Sequence, residues 1–295
     1  MGGGDITVNG GTLVAESVVV ADDGMSANFA VLVNDNSTDN VEVTVGSTVV
    51  DLAGNTLIEV SDNLQFVDTV NPKVTDIVSS FADIEGNDVV SDSDPVVSYT
   101  VSFSEPIAGM GGGDIAVSGG TLDAGSVVVA DDSLSATFSV TASQDSVADL
   151  TVTVNGSVVD VHGNALVPQT SQAEAVDTVN PTATISDDQN NFAYDGANTV
   201  SYTVSFSEPI SGMGGGDITV NGGTLDAGSV VVAEGGMSAT FSVTATQDSM
   251  DSLTVTVHDT VLDLNGNILI EDTSSPETVD TVNPEVIEIV SNFAN

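Results

Sequence analysis

The sequence has no cysteine and no tryptophan, and of its 295 residues a single one, Lys73, is Lys or Arg. Without cysteine there is no disulfide framework and no thiolate metal site. One basic residue against 44 Asp and Glu leaves a net charge of −43, which makes nucleic acid and anionic membrane surfaces repulsive partners. Aromatic residues make up 4% of the chain, too few for a stacking platform or an aromatic-lined pocket. No apolar run approaches the length of a membrane span. Residues 1–5 have neither the basic nor the apolar region of a signal peptide. Helical periodicity is absent throughout.

What is present is apolar alternation. Some 40% of residues are hydrophobic, gathered in Val-rich runs of period two, so the chain folds despite its charge. Self-repulsion of this size destabilises a compact state unless cations neutralise it. Either specific divalent-ion sites or adaptation to a salty medium would account for it.

The chain is organised around the hexapeptide Val-Asp-Thr-Val-Asn-Pro, at 67–72, 176–181 and 279–284. A period of 109 and then 103 residues implies tandem domains of immunoglobulin-like size. Met-Gly-Gly-Gly-Asp recurs in step, beginning at Met1, Met110 and Met213. The expected division is 1–70, a partial repeat lacking its first two strands; 71–179 and 180–282, complete repeats; and 283–295, the start of another. Residues 1–67 should then expose an unpaired edge and a bare core face. Residues 286–290 read as a spare first strand.

In the second repeat, residues 74–78 read as strand A and 97–103 as strand B, with Tyr99, Val101 and Phe103 facing the core. Residues 114–117 read as C, 127–129 as a short D, 135–141 as E and 150–154 as F, with a looser G running to the next joint. Seven short strands with turns every eight to twelve residues predict an all-β fold, a row of antiparallel two-sheet sandwiches. Gly111 to Asp114 reads as a turn before strand C; a calcium β-roll would need many consecutive copies. The acidic loop 83–94 reads as a solvated face.

Within such a sandwich the B–C loop and the F–G turn lie at the pole where the preceding joint enters. Asp68 and Asn71 of the joint therefore converge with Glu105, Asp160 and Asn164. At the next joint the set is Asp177, Asn180, Glu208, Asp263 and Asn267. Three carboxylates and two amide oxygens supply most of a calcium shell of about six to eight oxygens. Turn chemistry competes for some of them, since Asn after Gly commonly serves a left-handed turn. Glu105 and Glu208, set between Ser and Pro, have no routine turn role. His162 and His258 occupy different positions in their repeats and form no repeated site. No Ser has a positioned His base, and the dense carboxylates resemble an ion cage more than an acid–base pair, so the reading is not an enzyme.

The run Tyr99 to Pro106 (YTVSFSEP), the turn Asp160 to Asn164 (DVHGN) and the Asp-Thr-Val-Asn-Pro joint resemble bacterial Ig-like repeats of large RTX-type and biofilm-associated surface adhesins. Asp51 to Asn55 (DLAGN) keeps the form usual in that family, while His162 and Asn265 replace its Ala. The resemblance implies secreted, cell-surface extender domains rigidified by Ca2+, whose partners are the neighbouring repeats and whose adhesion target is bound elsewhere in the parent protein. It implies no membrane insertion. Two rivals stand beside it: a module that itself binds a sugar or protein, and an acidic surface-layer or halophilic scaffold without specific calcium sites.

Overall fold

The computed structural model describes residues 1–81, 89–189 and 192–290. It is all-β, and the helical elements among the described residues are three single 3-10 turns, Gly3–Asp5, Gly112–Asp114 and Gly215–Asp217. No helix among them is long and apolar enough to cross a membrane.

In the second repeat one sheet carries strands A (Val74–Ser79), B (Val96–Phe103), E (Ser135–Ala142) and D (Gly120–Val129) in the order A-B-E-D. The other carries C (Ile115–Ser118), F (Thr151–Val154) and G (Gln169–Thr170) in the order C-F-G. This is the strand arrangement of an immunoglobulin constant-type sandwich. The third repeat has the same two sheets, with A at Ala183–Asp187, B at Thr199–Phe206 and F at Thr254–Val257. Alternation sets the core. Along strand B, Val97, Tyr99, Val101 and Phe103 are buried and their neighbours face outward. Tyr99 stacks on Phe138 at 5.5 Å and Tyr202 on Phe241 at 5.6 Å. Each such side chain removed from water contributes about 1.5–3 kcal/mol.

Three elements differ from the sequence reading. Strand D spans ten residues, because a register shift between Asp123 and Val128 interrupts its apolar pattern without ending its pairing. The Ser126 hydroxyl fills the gap, donating to Asp123 O at 2.6 Å and accepting from Ser139 N at 2.8 Å. The acidic loop 83–94 lies partly outside the described residues, but Val90–Ser91 within it is a short strand, paired in parallel with Val176–Asp177. The spare strand expected at 286–290 is not a strand in the structure, and of the further repeat expected to start at 283–295, residues 291–295 lie outside the described residues.

Residues 1–67 contain strands matching C, F and G (Ile6–Asn9, Glu42–Val45, Val60–Ser61) and two short hairpin ladders matching D and E. Their buried apolar side chains are Ile6 and Val41, while Leu32, Leu52, Ile58 and Phe66 stand exposed.

The Gly-Gly-Gly-Asp segment is the turn into strand C. Asp114 Oδ2 accepts from Gly111 N at 2.8 Å and its Oδ1 from the Ser157 hydroxyl at 2.6 Å. Protein donors therefore satisfy this carboxylate, and Asp217 is held the same way by Gly214 and Thr260.

Candidate metal centre at the joints

The first and second joints are each held from both sides. Thr178 is buried, and its hydroxyl donates to Ser143 O at 2.7 Å and accepts from Ser146 N at 3.0 Å. These groups belong to the E–F turn of the preceding repeat. Thr69 makes the same contacts with Asn34 and Ser37, and Thr281 with Thr246 and Ser249. One residue earlier, the backbone carbonyl of Asp177 accepts from Asn267 Nδ2 at 2.9 Å, a group of the following repeat. Just past the joint, Thr182 N donates to the Ser207 hydroxyl at 2.9 Å and Ile270 N to Pro181 O at 2.9 Å. Adjacent residues thus grip opposite neighbours, which leaves the joint almost no free length. The first joint repeats the pattern through Asn164 to Asp68 O, Lys73 to Ser104, and Val167 to Pro72.

The B–C loop and the F–G turn meet as the topology requires. Ile107 pairs with Asp160, and Ile210 with Asp263. Asp263 is buried; its Oδ1 accepts from the backbone of Asn265 and Asn267, each at 2.8 Å, and its Oδ2 from Asn267 Nδ2 at 2.8 Å. Asp160 is held in the same way. Burial works against its charge, but the Asn164 side chain and the backbone N–H groups of the turn hold its carboxyl below the usual range.

At the second joint one carboxylate oxygen each from Asp177, Glu208 and Asp263 lie within 4.8 Å of one another. At the first joint the group that close is Asp68, Asp160 and His162. His162 Nδ1 lies 3.0 Å from Asp68 Oδ2, where the second joint instead has Asn265 Nδ2 donating to Asp177 Oδ2 at 2.7 Å. Glu105 is outside the closest group but still within reach of its charges. Burial and then Asp68 and Asp160 raise its pKa, as burial and then Asp177 and Asp263 raise that of Glu208. A cleft of about 380 Å3, lined by Thr38, Asn40, Phe66, Val67, Asp68 and His162, opens beside the first joint.

The amides divide into different roles. Asn164 and Asn267 are clasps, with Nδ2 shared between the joint carbonyl and the turn aspartate. Asn267 Oδ1 also accepts from Asp92 N of the preceding repeat at 2.7 Å. Asn71 is exposed. Asn180 Oδ1 is buried with no hydrogen-bond partner among the described residues, which leaves an oxygen near the second joint unsatisfied.

The threonine and serine clasps were not anticipated. Their signal was present, because Thr69, Thr178 and Thr281 recur in every joint and Ser104 and Ser207 open each Ser-Glu-Pro. His258 lies in a different setting. Its Nε2 is 2.6 Å from the Thr219 hydroxyl and its Nδ1 2.8 Å from Glu271, a row of exposed groups on the C-F-G sheet.

The bacterial Ig-like domain pattern matches residues 68–176 and 177–281. The chain belongs to the bacterial Ig-like domain family. No curated protein sequence matches it. Among solved structures, the Yersinia pseudotuberculosis adhesin InvE is 15% identical with a TM-score of 0.28, over 70% of this chain and 58% of that one. The N-terminal part of the bacterial S-layer protein SbsC is 16% identical with a TM-score of 0.24, over 71% of this chain and 44% of that one. SGBP-B of a Bacteroides uniformis xyloglucan utilization locus is 12% identical with a TM-score of 0.21, over 70% and 49%. The Ig-like chain spans about half the length of these structures, and at this likeness none of them carries a functional argument.

Proposed function

We propose that these Ig-like repeats are non-enzymatic extender domains of a bacterial surface protein, stiffened by calcium at each joint, which hold a distal adhesion module away from the cell. The observation that carries the reading is the junction itself. Asp177 grips the following repeat while Thr178 grips the preceding one, and three carboxylates close to within 4.8 Å around that point. A spacer needs such a joint, and a carboxylate cluster with a single lysine in the whole chain needs a cation from solution. Asp68, Asp160, His162 and Glu105 would serve the first joint, and Asp177, Asn180, Glu208 and Asp263 the second. All but the imidazole are hard oxygen donors suited to calcium, and extracellular sites of this kind work at dissociation constants of about 10⁻⁴ to 10⁻³ M. Family membership supports the extracellular setting.

Thermal unfolding in excess EDTA, then with calcium, magnesium or matched sodium chloride, tests this. A calcium ion a hundredfold above its dissociation constant adds about 2.7 kcal/mol per site. The expected result is a large shift with calcium alone, reduced by Glu208→Gln and Glu105→Gln. Equal shifts with every salt would overturn the joint sites and leave a charge-screened acidic scaffold.

A further inference from the structure

The third repeat holds a second concentration of acid away from the joint it shares with the second repeat. Glu277 is 1% exposed, and neither carboxylate oxygen has a hydrogen-bond partner among the described residues. The Tyr202 hydroxyl, on a side chain also 1% exposed, is likewise without a partner. The Glu277 backbone pairs with Leu253 at the beginning of strand F, with N–H···O distances of 2.9 and 2.8 Å. Asp263 lies beyond the other end of that strand, so the two clusters occupy opposite poles.

Tyr202 on strand B pairs in register with Asp187, the last residue of strand A, and Asp188 follows. Asp187 Oδ1 accepts from Gln189 N at 3.0 Å and Asp188 Oδ1 from Ser201 N at 2.9 Å, which leaves each Oδ2 without a described partner. The charges of Asp187 and Asp188 act on both Glu277 and Tyr202, so the four groups share one region. The chain's single Lys or Arg is Lys73, in the second repeat, and cannot neutralise them.

The second repeat has the same framework, its Tyr99 hydroxyl likewise buried without a partner, but among the described residues it lacks these acids. Ser79 pairs with Tyr99 as Asp187 pairs with Tyr202, so Ser79 and Ser80 stand at the positions of Asp187 and Asp188. Glu174 there makes the bridge to Leu150 that Glu277 makes to Leu253, but it is only half-buried. Among the described residues, the two aspartates and the fully buried glutamate occur together in the third repeat. A buried carboxylate without donors is tolerated when it is neutralised or when it coordinates a cation; Asp187, half-buried, and Asp188, exposed, stay charged in water and offer their free oxygens to Glu277 from the solvent side.

We infer that Glu277, Asp187 and Asp188, with the Tyr202 hydroxyl, form a further cation site at the far pole of the third repeat, away from the carboxylate sets of the first and second joints. The ligand is a hard divalent ion of calcium size. The three carboxylates do not lie within 4.8 Å of one another as the joint groups do. A loose cage that closes on its ion, with one ligand acting through water, suits calcium's flexible shell and not magnesium's tight octahedron.

Calorimetric calcium titration of the full chain tests the site. Glu277→Gln is expected to remove one bound calcium. The double variant Asp187→Ser and Asp188→Ser, which installs the serine pair the second repeat already folds with, should remove the same one. Glu208→Gln should remove a different ion, and the losses should add. Unchanged stoichiometry in both the Glu277 variant and the serine variant would overturn the inference and leave Glu277 as an acid kept neutral by its proton. Loss with Glu277→Gln but none with Glu208→Gln would support this site while sinking the joint reading, so the two fail separately.

Discussion

The side-chain amide of Asn267 donates to the backbone carbonyl of Asp177, 90 positions earlier, at 2.9 Å. The same amide nitrogen reaches Asp263 Oδ2, and its oxygen takes Asp92 N. One fully buried residue therefore ties together the joint, the F–G turn and the preceding repeat by contacts that need no ion. Asn267→Ala would leave the Asp177 carbonyl and the Asp92 N–H unpaired, at about 1–3 kcal/mol for each buried group left unsatisfied. The expected outcome is a lower unfolding midpoint in EDTA, with the calcium-induced shift retained. Glu208→Gln should do the reverse, leaving the EDTA midpoint no lower, since burial and the charges of Asp177 and Asp263 disfavour its ionised form, and reducing the shift. Denaturant titration with and without calcium separates the two, and identical behaviour of both variants would contradict the division of labour.

Thr178 is the clasp on the other side. Thr178→Val keeps the shape of the side chain while removing the hydroxyl that serves Ser143 O and Ser146 N. Loss of about 1–3 kcal/mol is expected, with Thr178→Ser close to wild type. A Val variant as stable as wild type in urea would mean that water takes over both groups.

Strands A, B, C, E and F were legible because one face of each is buried and alternation marks it, as in Val97, Tyr99, Val101 and Phe103. Strand D was legible only at its end, since the bulge from Asp123 to Val128 breaks the alternation while Ser126 keeps the pairing alive. Val90–Ser91 could not be read locally, because its partner lies at Val176–Asp177. The convergence of Asp177, Glu208 and Asp263 followed from strand order alone. The clasping role of Asn267 did not, because composition shows that an amide oxygen is available but not that the amide nitrogen is already committed. Glu277 was hidden for another reason: its burial depends on where Leu253 holds the backbone, and nothing in the surrounding residues reports that.

Gly222 sits at a φ of +78, and a Cβ there would come within 2.4 Å of the Ser252 carbonyl. Gly119 repeats this against Asp149. Gly222→Ala combines a left-handed backbone with a collision, so a loss of at least about 1–3 kcal/mol is expected. Gly216→Ala, where a Cβ meets nothing within 4 Å, is the control and should be nearly neutral. Thermal unfolding of the two variants decides the point, and equal midpoints would show that the turn before strand D can rearrange.

Acid should stabilise the calcium-free protein through Glu277. Burial, and after it the charges of Asp187 and Asp188, push the Glu277 carboxyl from its ordinary 4.5 up to about 7. A raised carboxyl binds its proton more tightly in the folded chain than in the unfolded one. Between those two values the folded form keeps a proton that the unfolded form has released, so stability falls as pH rises through the window. Below it both forms are protonated and the penalty is absent; above it the penalty is complete. General self-repulsion at a net charge of −43 slopes the same way, so the informative quantity is the difference between wild type and Glu277→Gln, which carries no charge at any pH. In EDTA the variant should match wild type near the acid end and exceed it above about pH 7, where the unpaired charge is fully developed. With saturating calcium the order should invert at high pH, because the ion needs the ionised carboxylate that the variant lacks. Unfolding midpoints measured across pH in both conditions check this, and parallel wild-type and variant curves in EDTA would show that Glu277 carries no buried charge to relieve.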